Sequence, residues 1–157
     1  MTEQIITNAL FKYFSSDDWA CFDQLRLGSG HDCERTIDFF ALHVHPSKKH
    51  QTLAIEIKIS KSDFLRDKCN PDKRLAAMTL CDQFIYAAPK GLLACTEMPK
   101  LTALWEYDPE TDQMLDRPHW PSAKVSKLVV PSMSFVASVL RRQSRKESLE
   151  RRNEARN

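Results

Sequence analysis

No stretch of this sequence is apolar for the ~18 residues that a bilayer crossing requires, which excludes a helical membrane protein. Nor does a basic patch lead into an apolar stretch at the N-terminus, where Glu3 stands almost at once, so nothing predicts export. No Cys-x-x-Cys or paired Cys/His spacing occurs anywhere. His43 and His45 share a strand face and His31 with Cys33 falls in a loop, but without knuckle spacing zinc is disfavoured. The cysteines, Cys21, Cys33, Cys69, Cys81 and Cys95, are odd in number and widely spaced. That argues against a disulfide framework and for reduced, mostly buried thiols in a cytoplasmic protein. Internal repeats are missing too, and apart from a charged tail there is no low-complexity segment.

What is present is a chain of 157 residues, long enough for one domain core and short for two. The net charge of +2 is unevenly distributed: residues 141 to 157 hold seven Lys/Arg against three Glu, leaving −2 on the preceding 140. A basic tail on a slightly acidic body is compatible with phosphate contact through Arg141, Arg142 and Arg145. It is equally the mark of a solvated helix face. The expected division is a domain over residues 1–140 and a basic helical tail over 141–157.

Apolar residues Ile6, Ala9, Leu10, Tyr13 and Phe14 recur at helical spacing, predicting a helix over 3–14. Three strand-like runs follow, 19–27, 36–44 and 52–59, separated by the Gly28-Ser29-Gly30 turn and by His45-Pro46-Ser47-Lys48-Lys49-His50. They read as a meander. A helix start with a capping hydroxyl is expected at Ser62-Asp63, and Asn70-Pro71 restarts a helix. Phe84 to Ala88 is then a strand parallel to 52–59, because a helix between two strands marks a crossover. Residues 101–107 read as a further strand, 108–124 as loop, 125–130 as an edge strand, and the chain from Ser132 as a helix whose end projects or frays. Trp105 and Tyr107 read as core residues, and so does Trp120, although it is the better candidate for stacking on a base.

The most informative feature lies in Leu53-Ala54-Ile55-Glu56-Ile57-Lys58-Ile59. Strand alternation points Glu56 and Lys58 to one face and the isoleucines to the other. Charges on an interior strand are costly unless they meet each other, a metal or a ligand. The E-x-K spacing alone arises by chance about once in two chains of this length; its setting matters more. Asp38 is a second carboxylate among large apolar residues in Ile37-Asp38-Phe39-Phe40. If the two strands are neighbours, Asp38 and Glu56 can converge on one hard cation, with Lys58 at the water or the phosphate. The bland alternative is a buried or edge-strand ion pair between Glu56 and Lys58.

Asp38, then Glu56-Ile57-Lys58, then a helix and a strand, resembles the PD-(D/E)XK nuclease superfamily. More narrowly, Glu56-Ile57-Lys58-Ile59-Ser60-Lys61-Ser62-Asp63-Phe64 with Asp67, and Cys81-Asp82-Gln83-Phe84-Ile85-Tyr86-Ala87-Ala88-Pro89, resembles the MmcB-like DNA-repair nucleases and their phage-borne relatives. The resemblance covers roughly residues 34 to 95. It implies an α/β fold with a restriction-endonuclease-like α-β-β-β-α-β core, a mixed sheet flanked by helices, followed here by the basic C-terminal helix. It also implies Mg²⁺, with Mn²⁺ as substitute, held by Asp38, Glu56 and the Ile57 carbonyl, and Lys58 as the catalytic lysine. Where the superfamily has Pro before the Asp, this chain has Ile37.

Glu3 is a further metal candidate, since some members carry a carboxylate on the first helix, although the helix dipole explains it equally well. The implied activity is hydrolysis of DNA phosphodiesters in repair, recombination or phage DNA processing. Lys61 and Lys73 beside the active strand are candidate phosphate contacts, and Asp63, Asp67 and Asp72 could equally balance that cationic face. The rivals are an inactive relative that binds DNA or protein, and an interaction protein whose C-terminal helix recruits a partner. A homodimer is an open arrangement.

Overall fold

The computed structural model describes residues 1–27, 35–116 and 131–154. Helix α1 (Glu3–Tyr13) leads into strands β1 (Trp19–Arg26), β2 (Thr36–His43) and β3 (Thr52–Ile57). Helices α2 (Lys61–Lys68) and α3 (Pro71–Met78) carry the chain to β4 (Gln83–Pro89), β5 (Thr102–Asp108) and β6 (Gln113–Asp116), and α4 (Met133–Glu154) follows. The strands form one six-stranded sheet in chain order. The pairs β1–β2, β2–β3 and β5–β6 are antiparallel, and β3–β4 and β4–β5 are parallel. This is a mixed α/β fold, and the expected meander and the crossover into β4 are both present.

Helices cover both faces. Ile6, Ala9 and Leu10 of α1 pack with Phe39, Ile55, Ile57 and Ile85 on one side. Phe64, Ala77, Met78 and Phe135, from α2, α3 and α4, pack with Phe40, Ala54, Phe84 and Tyr86 on the other. Burial of these apolar faces is the main stabilising contribution. Trp105 and Tyr107 belong to the α1 side as expected, with Trp105 5.1 Å from the Tyr13 ring.

Asp82 sets the register of the crossover. Its Oδ2 accepts from the Thr52 amide at 2.8 Å and the Thr52 hydroxyl at 3.0 Å, and its own amide donates to the Thr52 carbonyl at 2.9 Å. Ser60 caps α2, accepting from the Asp63 amide at 3.3 Å. The expected cap at Ser62 is thus two residues late: Ser60 already has the extended backbone of an N-cap and Ser62 is inside the helix.

Other boundaries also differ. Part of the expected loop 108–124 is strand β6, whose residues continue the β5 ladder from Asp108↔Gln113. Among the described cysteines only Cys81 is buried; Cys21 and Cys95 are half-buried and Cys69 is exposed. Helix α4 runs unbroken through position 140. The Gly28-Ser29-Gly30 turn, His31, Cys33, Trp120 and the expected strand over 125–130 lie outside the described residues. Among the described residues no helix is long and apolar enough to cross a membrane.

Candidate active site

The β2–β3 ladder runs in one register from Leu42↔Thr52 to Phe39↔Ile55, and its next step brings Asp38 opposite Glu56. Both carboxylates therefore lie on neighbouring strands and share the face that carries Phe40 and Ala54. The Asp38 Oδ2 accepts from the Ile57 amide at 2.9 Å, tying the carboxylate to the strand that bears the other candidate residues. Ile57 itself points away, into the α1 side of the core. The pairing that the sequence could only assume is present.

Glu56 and Lys58 are 6% and 3% exposed, and Lys58 Nζ lies 3.0 Å from Glu56 Oε1. Helix α2 contributes two more carboxylates to the lysine, Asp63 at 3.3 Å and Asp67 at 3.9 Å. Burial works against the charge on Lys58, but Glu56, Asp67 and Asp63 outweigh it and raise its pKa above the ordinary lysine value. Asp67 in turn accepts from the Tyr86 hydroxyl at 2.6 Å, and Tyr86 is the β4 residue in register with Glu56. Burial, and then the hydrogen bond to Asp67, push the Tyr86 pKa up, so the phenol is a fixed donor at neutral pH.

Asp38 has the opposite electrostatics. Its burial, and then the Glu56 charge, push its pKa up to about 6, against the Ile57 amide and Lys58, which lower it. Glu3 adds a smaller upward push. Glu3 is exposed at the start of α1, one turn before the buried Ile6, and its charge is felt at Asp38. Two carboxylates thus face each other where extra positive charge is favourable.

Gln24 joins the candidate site without any sequence signal. Asp23↔Phe39 and Leu25↔Ile37 bracket it, so it stands across from Asp38, but its φ of +46° breaks the pair there. Left-handed backbone in a non-glycine strand residue is strained, a feature that concentrates at functional sites. The Gln24 side-chain amide approaches Asp38 Oδ1 at 3.4 Å.

The candidate phosphate contacts are dispersed. Lys61 pairs with Glu97, and Arg142 pairs with Asp23, which fastens α4 to β1. Arg141 is exposed on α4, and the side chains of Lys73 and Arg145 lie outside the described residues. His43 packs edge-on against Trp19 at 4.8 Å, and His45 meets Asp18 at 2.9 Å.

No family model matches the chain. No curated protein matches it either. Among solved structures, the chain is similar to SPO1766, a protein of unknown function from Silicibacter pomeroyi. The TM-score is 0.60 at 15% identity, over 96% of this chain and 94% of that one. The likeness is one of fold across nearly the whole length of both proteins.

Proposed function

We propose that this chain is a metal-dependent nuclease that hydrolyses DNA phosphodiester bonds, with Asp38, Glu56 and Lys58 as its catalytic residues. The observation that carries the reading is the cross-strand placement of Asp38 opposite Glu56 with Lys58 two residues on, all on one face of the sheet. The order α1-β1-β2-β3, crossover helices, β4 accords with the restriction-endonuclease-like core of the PD-(D/E)XK superfamily. The motifs around Glu56 and Cys81 add the likeness to MmcB-like DNA-repair nucleases and phage-borne relatives. Repair, recombination or phage DNA processing is the accompanying biological reading.

The donor set fits a hard divalent ion. It consists of the Asp38 and Glu56 carboxylates and the Ile57 carbonyl, all oxygens. Two carboxylates and a carbonyl suit Mg²⁺, which keeps several waters and takes only one or two carboxylates, and Mn²⁺ as substitute. When bound, such an ion supplies Lewis acidity and lowers the pKa of a water. The chain's own residues do the rest. Ile57 donates to one Asp38 oxygen and so orients the carboxylate. Lys58, kept protonated by its three carboxylates, presents an ammonium that orients the attacking water or meets charge growing on the phosphoryl oxygens.

A second reading has its own observation: Lys58 is held by Glu56, Asp63 and Asp67, as a purely structural ion cluster would be. It corresponds to an inactive relative that binds DNA or protein. Cleavage of plasmid and oligonucleotide DNA with Mg²⁺, Mn²⁺ or EDTA separates the two. The nuclease reading expects metal-dependent cutting that Asp38→Ala and Lys58→Ala reduce by at least about a hundredfold. Alanine variants that cut as fast as wild type would overturn it.

A further inference from the structure

Beside Glu56, between the neck of the β1–β2 hairpin and α3, lies a small open cleft with an arginine from each side, Arg35 and Arg74. The neck is closed by the Leu27 amide donating to the Arg35 carbonyl at 3.0 Å. Arg35 reaches across to donate to the Asp72 carbonyl of α3 at 2.9 Å, so its guanidinium is tethered while the side chain stays exposed. Arg74 extends from α3 towards the Tyr86 hydroxyl, 3.4 Å away. Thr36 and Phe84 also line it. Among the described residues neither guanidinium is ion-paired to a carboxylate.

Glu56 and Asp67 also line the cleft, and alone they would repel an anion. Lys58, at 3.0 Å from Glu56 and 3.9 Å from Asp67, offsets one of the two charges. With Arg35 and Arg74 the five groups sum to +1, and the positive side of that balance at the cleft is carried by the two arginines. Two guanidiniums lining one open cleft, carried by different elements, suit the tetrahedral oxygens of a phosphate, which arginine meets with several N–H groups in a fixed fork.

We infer that Arg35 and Arg74 form a subsite for a nucleic-acid backbone phosphate next to the one that is cut. The subsite rests on the nuclease reading and extends it: the strand enters beside Glu56 and is gripped between the hairpin neck and α3. Neither the basic tail nor Lys61 is needed for this grip. Arginine contacts to phosphate position a substrate without reading its sequence, so the subsite accepts any base.

The test is fluorescence anisotropy of a labelled oligonucleotide, single- and double-stranded, in EDTA over a range of salt. Wild type is compared with Arg35→Gln, Arg74→Gln and the double variant, with Arg35→Lys and Arg74→Lys as charge-retaining partners. Thermal melts check that each variant is folded. Each glutamine substitution is expected to weaken binding by about tenfold, whatever the sequence, and to lower the slope of log K against log salt by roughly one. The lysine variants should keep the slope. Cleavage by wild type with Mg²⁺ is measured in parallel. Metal-dependent cutting with affinity and slope unchanged in the folded double variant would overturn the subsite alone. Binding that depends on Arg35 and Arg74, without cutting under any ion, supports the phosphate contact at the two arginines and overturns the nuclease reading. Absence of both binding and cutting overturns both.

Discussion

The Asp38 carboxylate and the Ile57 amide are joined at 2.9 Å across two strands, so a candidate metal ligand on β2 is oriented by the backbone of the strand that carries Glu56 and Lys58. One side chain therefore serves both the sheet and the site. Asp38→Ala should remove both services: cleavage is lost, and the Ile57 amide loses its acceptor at a cost of about 1–3 kcal/mol. Asp38→Asn keeps an acceptor and should lose cleavage with much less loss of stability. Urea unfolding in EDTA, read beside the cleavage assay, checks the separation.

The raised pKa of Asp38, about 6 against an ordinary 3.8, has a definite sign in stability. The folded state binds this proton more tightly than the unfolded chain does. The group's contribution is therefore fully favourable below about pH 3.8 and is lost as the pH rises to about 6, above which it is flat. The stability of Asp38→Asn minus that of wild type, in EDTA, should grow by about 1–2 kcal/mol from pH 4.5 to pH 7, after allowance for the partial exposure of Asp38. A divalent ion must displace the same proton, so Mn²⁺ affinity measured by calorimetry should fall below pH 6. A difference that stays constant with pH would contradict the placement of Asp38 beside Glu56.

Lys58 is shared by three carboxylates from two elements. Lys58→Met leaves Glu56 and Asp67 buried without their cation and should cost about 3–5 kcal/mol. Adding Glu56→Gln to Lys58→Met should restore part of that loss without restoring cleavage. Additive losses in the double-mutant cycle would show that the two side chains do not interact.

Asp82 holds the start of β3 to the start of β4 through Thr52. Asp82→Ala removes an acceptor of two bonds and should lower stability by about 1–3 kcal/mol. Because the clamp sets the register that brings Tyr86 beside Glu56, cleavage should fall more than the population of folded protein does. Activity per folded molecule, from cleavage and circular dichroism on the same samples, is the measurement.

The local elements were legible in the sequence because their physics is local. Alternation in residues 53–59 is enough to put Glu56 and Lys58 on one face, and the structure buries both there. Helical spacing marks α1, and a Pro after Asn70 marks α3. Strand β6 was not legible, since its four residues carry no apolar alternation and gain strand geometry only from the β5 ladder.

The composition of the site depends on long-range pairing, which periodicity does not encode. Asp38 meets Glu56 only because β2 pairs β3 in one register, and Gln24 meets Asp38 only because β1 adds on the other side. Asp63 and Asp67 reach Lys58 because the crossover folds α2 back over the sheet, and Arg35 and Arg74 share a cleft because α3 packs beside the hairpin neck. A single strand specifies which way its own side chains point. Which partners they meet is decided by register and packing between segments far apart in the chain.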